Sequence, residues 1–253
     1  MLLGGKCMRV QGDWCRYAVL MAALFGCSQA MSSVVITGTR VVYPAGKKEV
    51  TVKVNNEGTK PVLVQSWIDQ GDLASTPTNS SAPFVISPPV SRIDPSKGQS
   101  LRLMFTGAPL AADKESVFWL NVLEIPAKVS GGEEQNMLQM AFRSRIKVFY
   151  RPENLPGTPA SAIEAVQWKL VHQGTGYALQ AINPTAFHVS LTDLVLITGD
   201  QKALSEAGMI APGETRLFFL PDVKSAPASG AEVEYNAIND YGAQVLTRKR
   251  LKP

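Results

Sequence analysis

Two histidines, His172 and His188, are the side chains of this sequence best suited to acid–base catalysis or to binding a transition metal. Neither lies near a nucleophile-elbow motif, so a Ser-His-Asp triad is not indicated. All three cysteines precede residue 28, in a segment with the character of a leader, which argues against a zinc site of the Cys and His kind. Glycine-rich phosphate loops and dinucleotide fingerprints are absent from the sequence. We therefore predict no enzymatic activity, no catalytic residue, no metal and no cofactor.

The first thirty residues have the composition of a secretory signal peptide. Three basic residues precede an apolar stretch at 17–26, and Ser28-Gln29-Ala30 supplies small residues at cleavage positions. The apolar stretch is too short for a membrane-spanning helix, which needs about 20 residues. We predict residues 1–30 to be a signal peptide and the mature protein to lie in an exported compartment.

Two alternatives remain open for this leader. Leu24-Phe25-Gly26-Cys27 also resembles a lipoprotein cleavage box with Cys27 as the acylated residue, and the start codon is either Met1 or Met8. Cys7, Cys15 and Cys27 all fall in the leader, so a mature chain that begins near residue 31 has no disulfide, although exported proteins are where disulfides are permitted.

The charge of the chain argues against nucleic acid as a partner. The formal net charge is +4, of which the leader carries +2, and so the mature chain keeps only +2. A value this small provides no extended basic surface for phosphates. The basic segment 248–252 is a short terminus of the kind that is usually just solvated.

Short apolar segments separated by turn signals dominate the chain from residue 34 onward. Such spacing predicts an all-β fold, and seven strands within about 120 residues are typical of an immunoglobulin-like sandwich. The predicted strands of the first half are 34–43, 49–55, 62–68, 84–86, 99–105, 116–125 and 136–152.

A stiff, proline-containing link follows the last of these strands, at 151–159. Beyond it we predict further strands at 165–171, 177–183, 187–191, 215–220 and 232–240, which indicate a second, smaller sandwich. The predicted domains are therefore residues 31–152 and 153–253 after the signal peptide.

The strand at 136–152 has alternating large apolar residues. Leu138, Met140 and Phe142 share one face, as in a half-buried strand. An apolar edge of this kind is an aggregation hazard unless charged residues or a partner cover it, and Arg143, Arg145 and Lys147 are the candidate charged guards. From the pattern alone, the three apolar residues are better explained as core residues of a closed sandwich, because apolar alternation usually reflects packing.

Several segments together resemble the periplasmic pilus (fimbrial) assembly chaperone family. They are LAADKESVFWLNVLEIPA at 110–127, NMLQ at 136–139, IKVFYRP at 146–152, INPT at 182–185 and INDYG at 238–242. The resemblance spans nearly the whole mature chain. It implies two immunoglobulin-like β-sandwich domains in a boomerang arrangement and a location in the periplasm.

The resemblance also implies a function and its residues. The chaperone binds, folds and caps pilus subunits by lending them a strand, here with Leu138, Met140 and Phe142 as the inserted side chains. Arg40 and Lys147 hold the subunit's C-terminal carboxylate, although Lys147 has the opposite parity from the inserted residues. The cargo then passes to an outer-membrane usher, which is the chaperone's one link to a membrane.

Further implications concern the domain interface and the subclass. Glu115, Arg151 and Asp240 match positions that form an ionic network between the domains. The short connection at 127–135 resembles the short-loop subclass, whereas the second-domain disulfide of some members is absent here. The open strand edge also suggests a self-capping homo-oligomer when no subunit is bound.

Two other classes of protein compete with this interpretation. A pilus subunit or secreted adhesin with sandwich domains is the main alternative, although a subunit would carry a spare alternating extension at its mature N-terminus. A periplasmic hydrolase is a remote third hypothesis, which a screen against esters and peptides would test.

Overall fold

The structure, a computed structural model, describes residues 33–126, 140–225 and 230–251. Within these ranges the chain forms two sandwiches of β-sheets and a single short helix. The predicted all-β class with two immunoglobulin-like sandwiches is confirmed.

The first sandwich contains nine strands in two sheets. The strands are β1 (Val34–Ile36), β2 (Arg40–Pro44), β3 (Val50–Asn56), β4 (Val62–Asp69), β5 (Phe84–Ser87), β6 (Val90–Ile93), β7 (Gly98–Phe105), β8 (Ser116–Pro126) and β9 (Phe142–Arg151). One sheet has the order β1-β3-β7-β5 and the other has the order β2-β9-β8-β4-β6. Alternate residues of both sheets face inward, and the most completely buried include Val54, Leu101, Leu103, Leu120 and Val148.

The first predicted strand, 34–43, is in fact two strands in different sheets. The chain turns at 37–39, where Gly38 has a φ of +99°, a conformation that glycine adopts without steric cost. β1 pairs with β3 in an antiparallel ladder, whereas β2 crosses to the other sheet and pairs with β9 in a parallel one. This change of sheet places Arg40 at the beginning of β2.

Strand β9 is paired on both sides along only half of its length. β8 pairs with it continuously from Phe142 to Tyr150, and this register contains no bulge. On the other side, β2 pairs with it only from Lys147 to Arg151. Within the described residues, the edge of β9 over 142–146 therefore has no neighbouring strand.

The second sandwich begins with a helix that the sequence pattern did not indicate. This helix, α1 (Pro159–Ala165), starts with a capping box in which Thr158 and Ser161 bond reciprocally, and it buries Ala162 and Ile163. The predicted strand at 165–171 starts only after it, at Gln167. Seven residues are too few for an apolar helical period to stand out from its surroundings.

Eight strands follow in this sandwich. They are β10 (Gln167–Gln173), β11 (Gly176–Ile182), β12 (Val189–Thr198), β13 (Gln201–Ser205), β14 (Met209–Ile210), β15 (Thr215–Leu220), β16 (Glu232–Ile238) and β17 (Gln244–Arg250). β10-β11-β15 form one sheet, and β13-β12-β16-β17, with β14 beside β12, form the other. Their common core includes Leu179, Leu194, Ile210 and Tyr235. The last strand, β17, is seven residues long.

No helix in the described part of the chain is both long enough and apolar enough to cross a membrane.

Candidate functional site: an open strand edge beside buried cations

The open edge of β9 begins with two of the three predicted inserting residues. Met140 lies just before the strand and is half exposed, and Phe142 opens the strand with its side chain partly buried. Further along the same face, Ile146 packs against the core of the first sandwich. Leu138, the third predicted residue, lies outside the described residues, as does the connection at 127–135 on which the short-loop prediction rests.

Arg40 stands at the end of this open edge and is held on the second sandwich. Its Nη1 donates a hydrogen bond of 2.8 Å to the carbonyl oxygen of Ile238, and its guanidinium lies 5.7 Å from the centre of the Phe149 ring. Its Nε is buried and has no hydrogen-bond partner among the described residues. Burial lowers the pKa of Arg40, and the negative charges of Asp240 and Glu115 oppose this change.

Lys147 is the direct partner of Arg40 in the parallel ladder between β2 and β9. Its Nζ donates a hydrogen bond of 3.0 Å to the hydroxyl of Ser190 on the second sandwich. Burial lowers the pKa of Lys147 to about 8, and the positive charges of Arg40 and Arg216 act in the same direction. The structure therefore places both predicted carboxylate-binding residues side by side.

The opposite parity of Lys147 and the apolar residues is preserved in the structure. Because the register between β8 and β9 has no bulge, Lys147 projects from the face opposite to that of Phe142. The apolar residues thus face the side of the first core, while Lys147 faces the second sandwich. Neither twist nor a bulge redirects it.

Arg143 and Arg145, expected to guard the edge, are instead bound across the outer face of the sheet. Arg143 donates to Asn121 Oδ1 from Nε at 2.9 Å and from Nη2 at 2.7 Å, and to the carbonyl of Leu73 at 2.8 Å. Arg145 forms an ion pair with the buried carboxylate of Asp69. Side chains of a strand stand perpendicular to the sheet, so they reach neighbouring strands more easily than the open edge.

Glu115, Arg151 and Asp240 come together at the junction of the sandwiches. Arg151 donates from Nε to Glu115 Oε1 at 2.7 Å, and it binds Asp240 through both Nη atoms at 2.7 and 2.9 Å. Burial alone would lower the pKa of Arg151, but the hydrogen bonds to Asp240 and Glu115 outweigh it and raise this pKa. Bidentate pairing with Asp240 fixes the orientation of the Arg151 guanidinium as well as its distance from the carboxylate.

His188 is a further member of this cluster that sequence reasoning missed. Its backbone N–H donates to Glu115 Oε2 at 2.8 Å, and its ring Nδ1 lies 3.3 Å from the same oxygen. The ring is buried and lies 5.6 Å, centre to centre, from that of Phe149. Glu115 and His188 are 73 residues apart, so no local motif could have linked them.

The positive charge of this region suits it to an anion. Two cations of the first sandwich, Arg40 and Lys147, lie together without a carboxylate within ion-pair distance in the described residues. Buried charges of one sign are costly unless an opposite charge reaches them. A group of three or more His, Cys, Asp or Glu side chains that could hold a metal ion is not found in the described ranges.

Comparison with known proteins identifies the relatives of this chain. The model of the pili and flagellar-assembly chaperone, PapD N-terminal domain, matches residues 33–156. That of the pili assembly chaperone PapD, C-terminal domain, matches residues 161–249. Together the two models cover most of the sequence and correspond to the two sandwiches.

Individual relatives agree with these matches. The chain is 40% identical over 227 residues to the probable fimbrial chaperone YadV of Escherichia coli K12, covering 88% of this chain and 92% of that protein. It is 41% identical over 230 residues to the chaperone protein FimB/FhaD of Bordetella pertussis, covering 89% of this chain and 90% of the relative.

Solved structures carry the same fold. The crystal structure of the YadV chaperone superposes with a TM-score of 0.75 at 39% identity, covering 87% of this chain and all of that one. The Salmonella enterica SafB chaperone, solved in complex with the SafA pilin, gives a TM-score of 0.71 at 26% identity, covering 88% of this chain and 99% of that chain. The expectation that the chain is not an enzyme agrees with these relatives. The chain belongs to the PapD-like family of pilus assembly chaperones, which serve the chaperone-usher pathway.

Proposed function

We propose that this protein binds pilus subunits in the periplasm by lending them the open edge of β9 and by anchoring their C-terminal carboxylate on Arg40 and Lys147. The observation that carries the proposal is the half-paired strand β9, whose edge over 142–146 has no neighbouring strand in the described part of the chain and stops where β2 begins. An exposed strand edge is a template for an added strand from another chain.

The position of the two cations favours one direction for the added strand. A strand that pairs with the free edge of β9 lies in line with β2 and ends beside Arg40, the first residue of β2. If the added strand runs parallel to β9, its C-terminal carboxylate meets Arg40 and Lys147. In the antiparallel direction the carboxylate would lie at the far end of the open edge, beyond the reach of both cations. The pair therefore selects the parallel orientation and fixes the register.

The apolar side chains supply only part of the binding free energy. Burying Leu138, Met140 and Phe142 gives roughly 5 to 9 kcal/mol at about 1.5 to 3 kcal/mol each. Association alone costs about 4 to 15 kcal/mol. The hydrogen bonds of the added strand and the charge-assisted bonds to the carboxylate must therefore contribute a comparable share.

The ionic cluster supports the site by holding the sandwiches together. Arg151 is the last residue of β9, and it binds Glu115 on one side and Asp240 on the other. Asp240 follows β16, whose Ile238 carbonyl accepts the hydrogen bond from Arg40. We assign Glu115, Arg151 and Asp240 the role of an interdomain network that keeps Arg40 in place, with the domain boundary at residue 152.

Export and delivery complete the proposed role. Residues 1–30 act as a signal peptide, and the mature chaperone then works in the periplasm. The SafB relative solved with a pilin supports pilus subunits as partners. By the family resemblance, an outer-membrane usher receives the loaded subunit. The open strand edge favours a second copy of the chaperone as its cover when no subunit is present.

Co-purification tests the proposed function. The protein is expressed with the pilin-like genes beside its own, purified from the periplasm, and examined for bound polypeptides by intact mass. Wild type should carry one subunit per chaperone, and Lys147→Ala and Arg40→Ala should lose it while staying folded. Arg102→Ala, which removes an exposed cation from β7 in the other sheet, is the matched control and should retain it. Normal capture by Lys147→Ala would refute the carboxylate anchor.

A further inference from the structure

A third cation, Arg216 of the second sandwich, lies in the same region as Arg40 and Lys147. Nine arginines lie in the described residues, and seven of them form ion pairs with a carboxylate. Within these described ranges the two without such a partner are Arg40 and Arg216. Both act on the same group, because the positive charge of each lowers the pKa of Lys147.

A continuous set of contacts links Arg216 to Lys147. Lys147 Nζ donates to the hydroxyl of Ser190, which is buried. Ser190 pairs with Met209 in the ladder between β12 and β14. Arg216 Nη1 in turn donates a hydrogen bond of 2.6 Å to the carbonyl oxygen of Met209. Each cation therefore contacts one member of the same pair of strand residues.

Arg216 is held in this position without being neutralised. Its guanidinium lies 5.3 Å from the centre of the Phe218 ring, which favours a cation over the ring face. Gly208 leaves room for it, since a Cβ at that residue would lie 3.0 Å from Nη2. A guanidinium has five N–H donors, and a single hydrogen bond from Arg216 is present among the described residues. Its charge and most of its donors are free for a ligand.

Three cations from two sandwiches, none with a carboxylate partner among the residues that the structure describes, repel one another until an anion arrives. We infer that Arg216 is a third cation of the carboxylate site, contributed by the second sandwich, and that it increases the preference for a subunit's free C-terminal carboxylate. The inference rests on the proposed function. It makes the carboxylate site a property of both sandwiches, so that their relative orientation, held by Arg151, matters for binding as well as for stability.

Peptide binding tests this inference. The probe is an N-acetylated peptide of the last fifteen residues of the subunit that co-purifies with the chaperone, prepared as the free acid and as the C-terminal amide. The measured quantity is the ratio of the two dissociation constants at low ionic strength. Arg216→Gln should lower the preference for the acid about two- to fivefold, the range for one added charge near a solvated pair.

Two further variants separate charge from structure. Lys202→Gln removes one exposed charge from β13 of the same sandwich and should leave the preference unchanged. Arg216→Lys keeps the charge but loses the planar fork, and it should restore most of the preference. In the free protein, NMR titration should show a higher Lys147 pKa in Arg216→Gln than in wild type.

The outcomes distinguish this inference from the proposal beneath it. If wild type does not prefer the acid over the amide, the carboxylate anchor fails and the role of Arg216 fails with it. If wild type prefers the acid and Lys147→Ala does not, while a folded Arg216→Gln matches wild type, only the inference about Arg216 is overturned.

Discussion

Raising the pH from 7 to 9 should weaken binding of a subunit's C-terminus about tenfold, because Lys147 loses its charge in this interval. Burial and the neighbouring arginines set the pKa of Lys147 at about 8. Roughly nine-tenths of the molecules therefore carry the charge at pH 7, and roughly one-tenth carry it at pH 9. Arg40 stays protonated throughout, since a guanidinium does not lose its proton in this pH range.

The sign follows from the lowered pKa. A bound carboxylate stabilises the charged lysine and raises its pKa, so binding above pH 8 must take up a proton. Affinity is constant while the free protein is already protonated, below about pH 7, and it falls as pH rises through the pKa of the free protein. The decrease continues until the pKa of the bound state is reached.

Fluorescence anisotropy with the labelled free-acid peptide, at constant ionic strength and at pH 7, 8 and 9, measures this effect. Because the carboxyl group of the peptide titrates near pH 3.5, only the chaperone changes charge over this range. Lys147→Met should bind more weakly at pH 7, by about 10- to 150-fold for a lost hydrogen bond to a charged group of ~1.5–3 kcal/mol, and should show no pH dependence. Arg102→Met should keep the wild-type decrease. An affinity of folded wild type that is equal at pH 7 and pH 9 would refute the reasoning.

Three further changes have defined outcomes. Lys147→Met should raise the free energy of unfolding by roughly 1 to 2 kcal/mol at pH 7, because it removes a partly buried charge that loses its proton more readily in the folded state. In urea unfolding, this gain in stability should be complete below about pH 8 and should vanish as pH rises to about 10.5. A gain that does not change with pH would show that the charge of Lys147 is not its cause. Arg151→Gln should lower the free energy of unfolding by about 3 to 5 kcal/mol, since it leaves the buried Glu115 without its cation. Arg248→Gln, which removes an exposed ion pair with Glu234, should lower the free energy of unfolding by less than about 1 kcal/mol. Equal losses of stability in Arg151→Gln and Arg248→Gln would argue against a structural role for the Glu115–Arg151–Asp240 network. Met140→Asp should reduce subunit yield in co-purification by placing a charge in an apolar groove. Val85 on β5 is equally exposed, and Val85→Asp should leave the subunit yield unchanged. An unchanged subunit yield with Met140→Asp would count against strand donation.

The strands were predictable where their side chains alternate strongly. β3, β7, β8 and β15 begin and end within about two residues of the predicted limits, because burial of one face imposes a period of two. The short strands β6, β13 and β14 were missed, since two to five residues give no usable period. The division of the first predicted strand at Gly38 was missed for another reason. Whether a strand changes sheets depends on its distant partners, here β3 and β9.

The residues of the proposed site divide in a similar way. Arg40 and Lys147 were predicted as carboxylate-binding residues because they lie in segments that resemble a family. Ser190 and His188 were not predicted, because each contacts a residue that is distant in sequence. Arg216 was not predicted, because its electrostatic effect on Lys147 acts between residues 69 positions apart. The contact between His188 and Glu115 could not be identified before the sandwiches were seen together, because the two residues are 73 positions apart.

The sequence also could not indicate that Lys147 would have a lowered pKa. This value depends on burial between two sandwiches and on two arginines, one of them 69 positions further along the chain. A partly buried lysine without a carboxylate partner among the described residues lowers stability, and proteins commonly retain such residues where function requires them. The same reasoning accounts for Arg40, whose buried Nε has no partner among the described residues.

Hydrogen exchange of the backbone amides in β9 tests the central claim most directly. In the free chaperone, the amides of residues 142–146 that point away from β8 should exchange quickly, because this part of the edge has no neighbouring strand in the described structure. In the purified complex with a subunit they should become protected, while the amides of the exposed edge strand β13 should exchange as before. A stable one-to-one complex in which these β9 amides still exchange quickly would contradict strand donation.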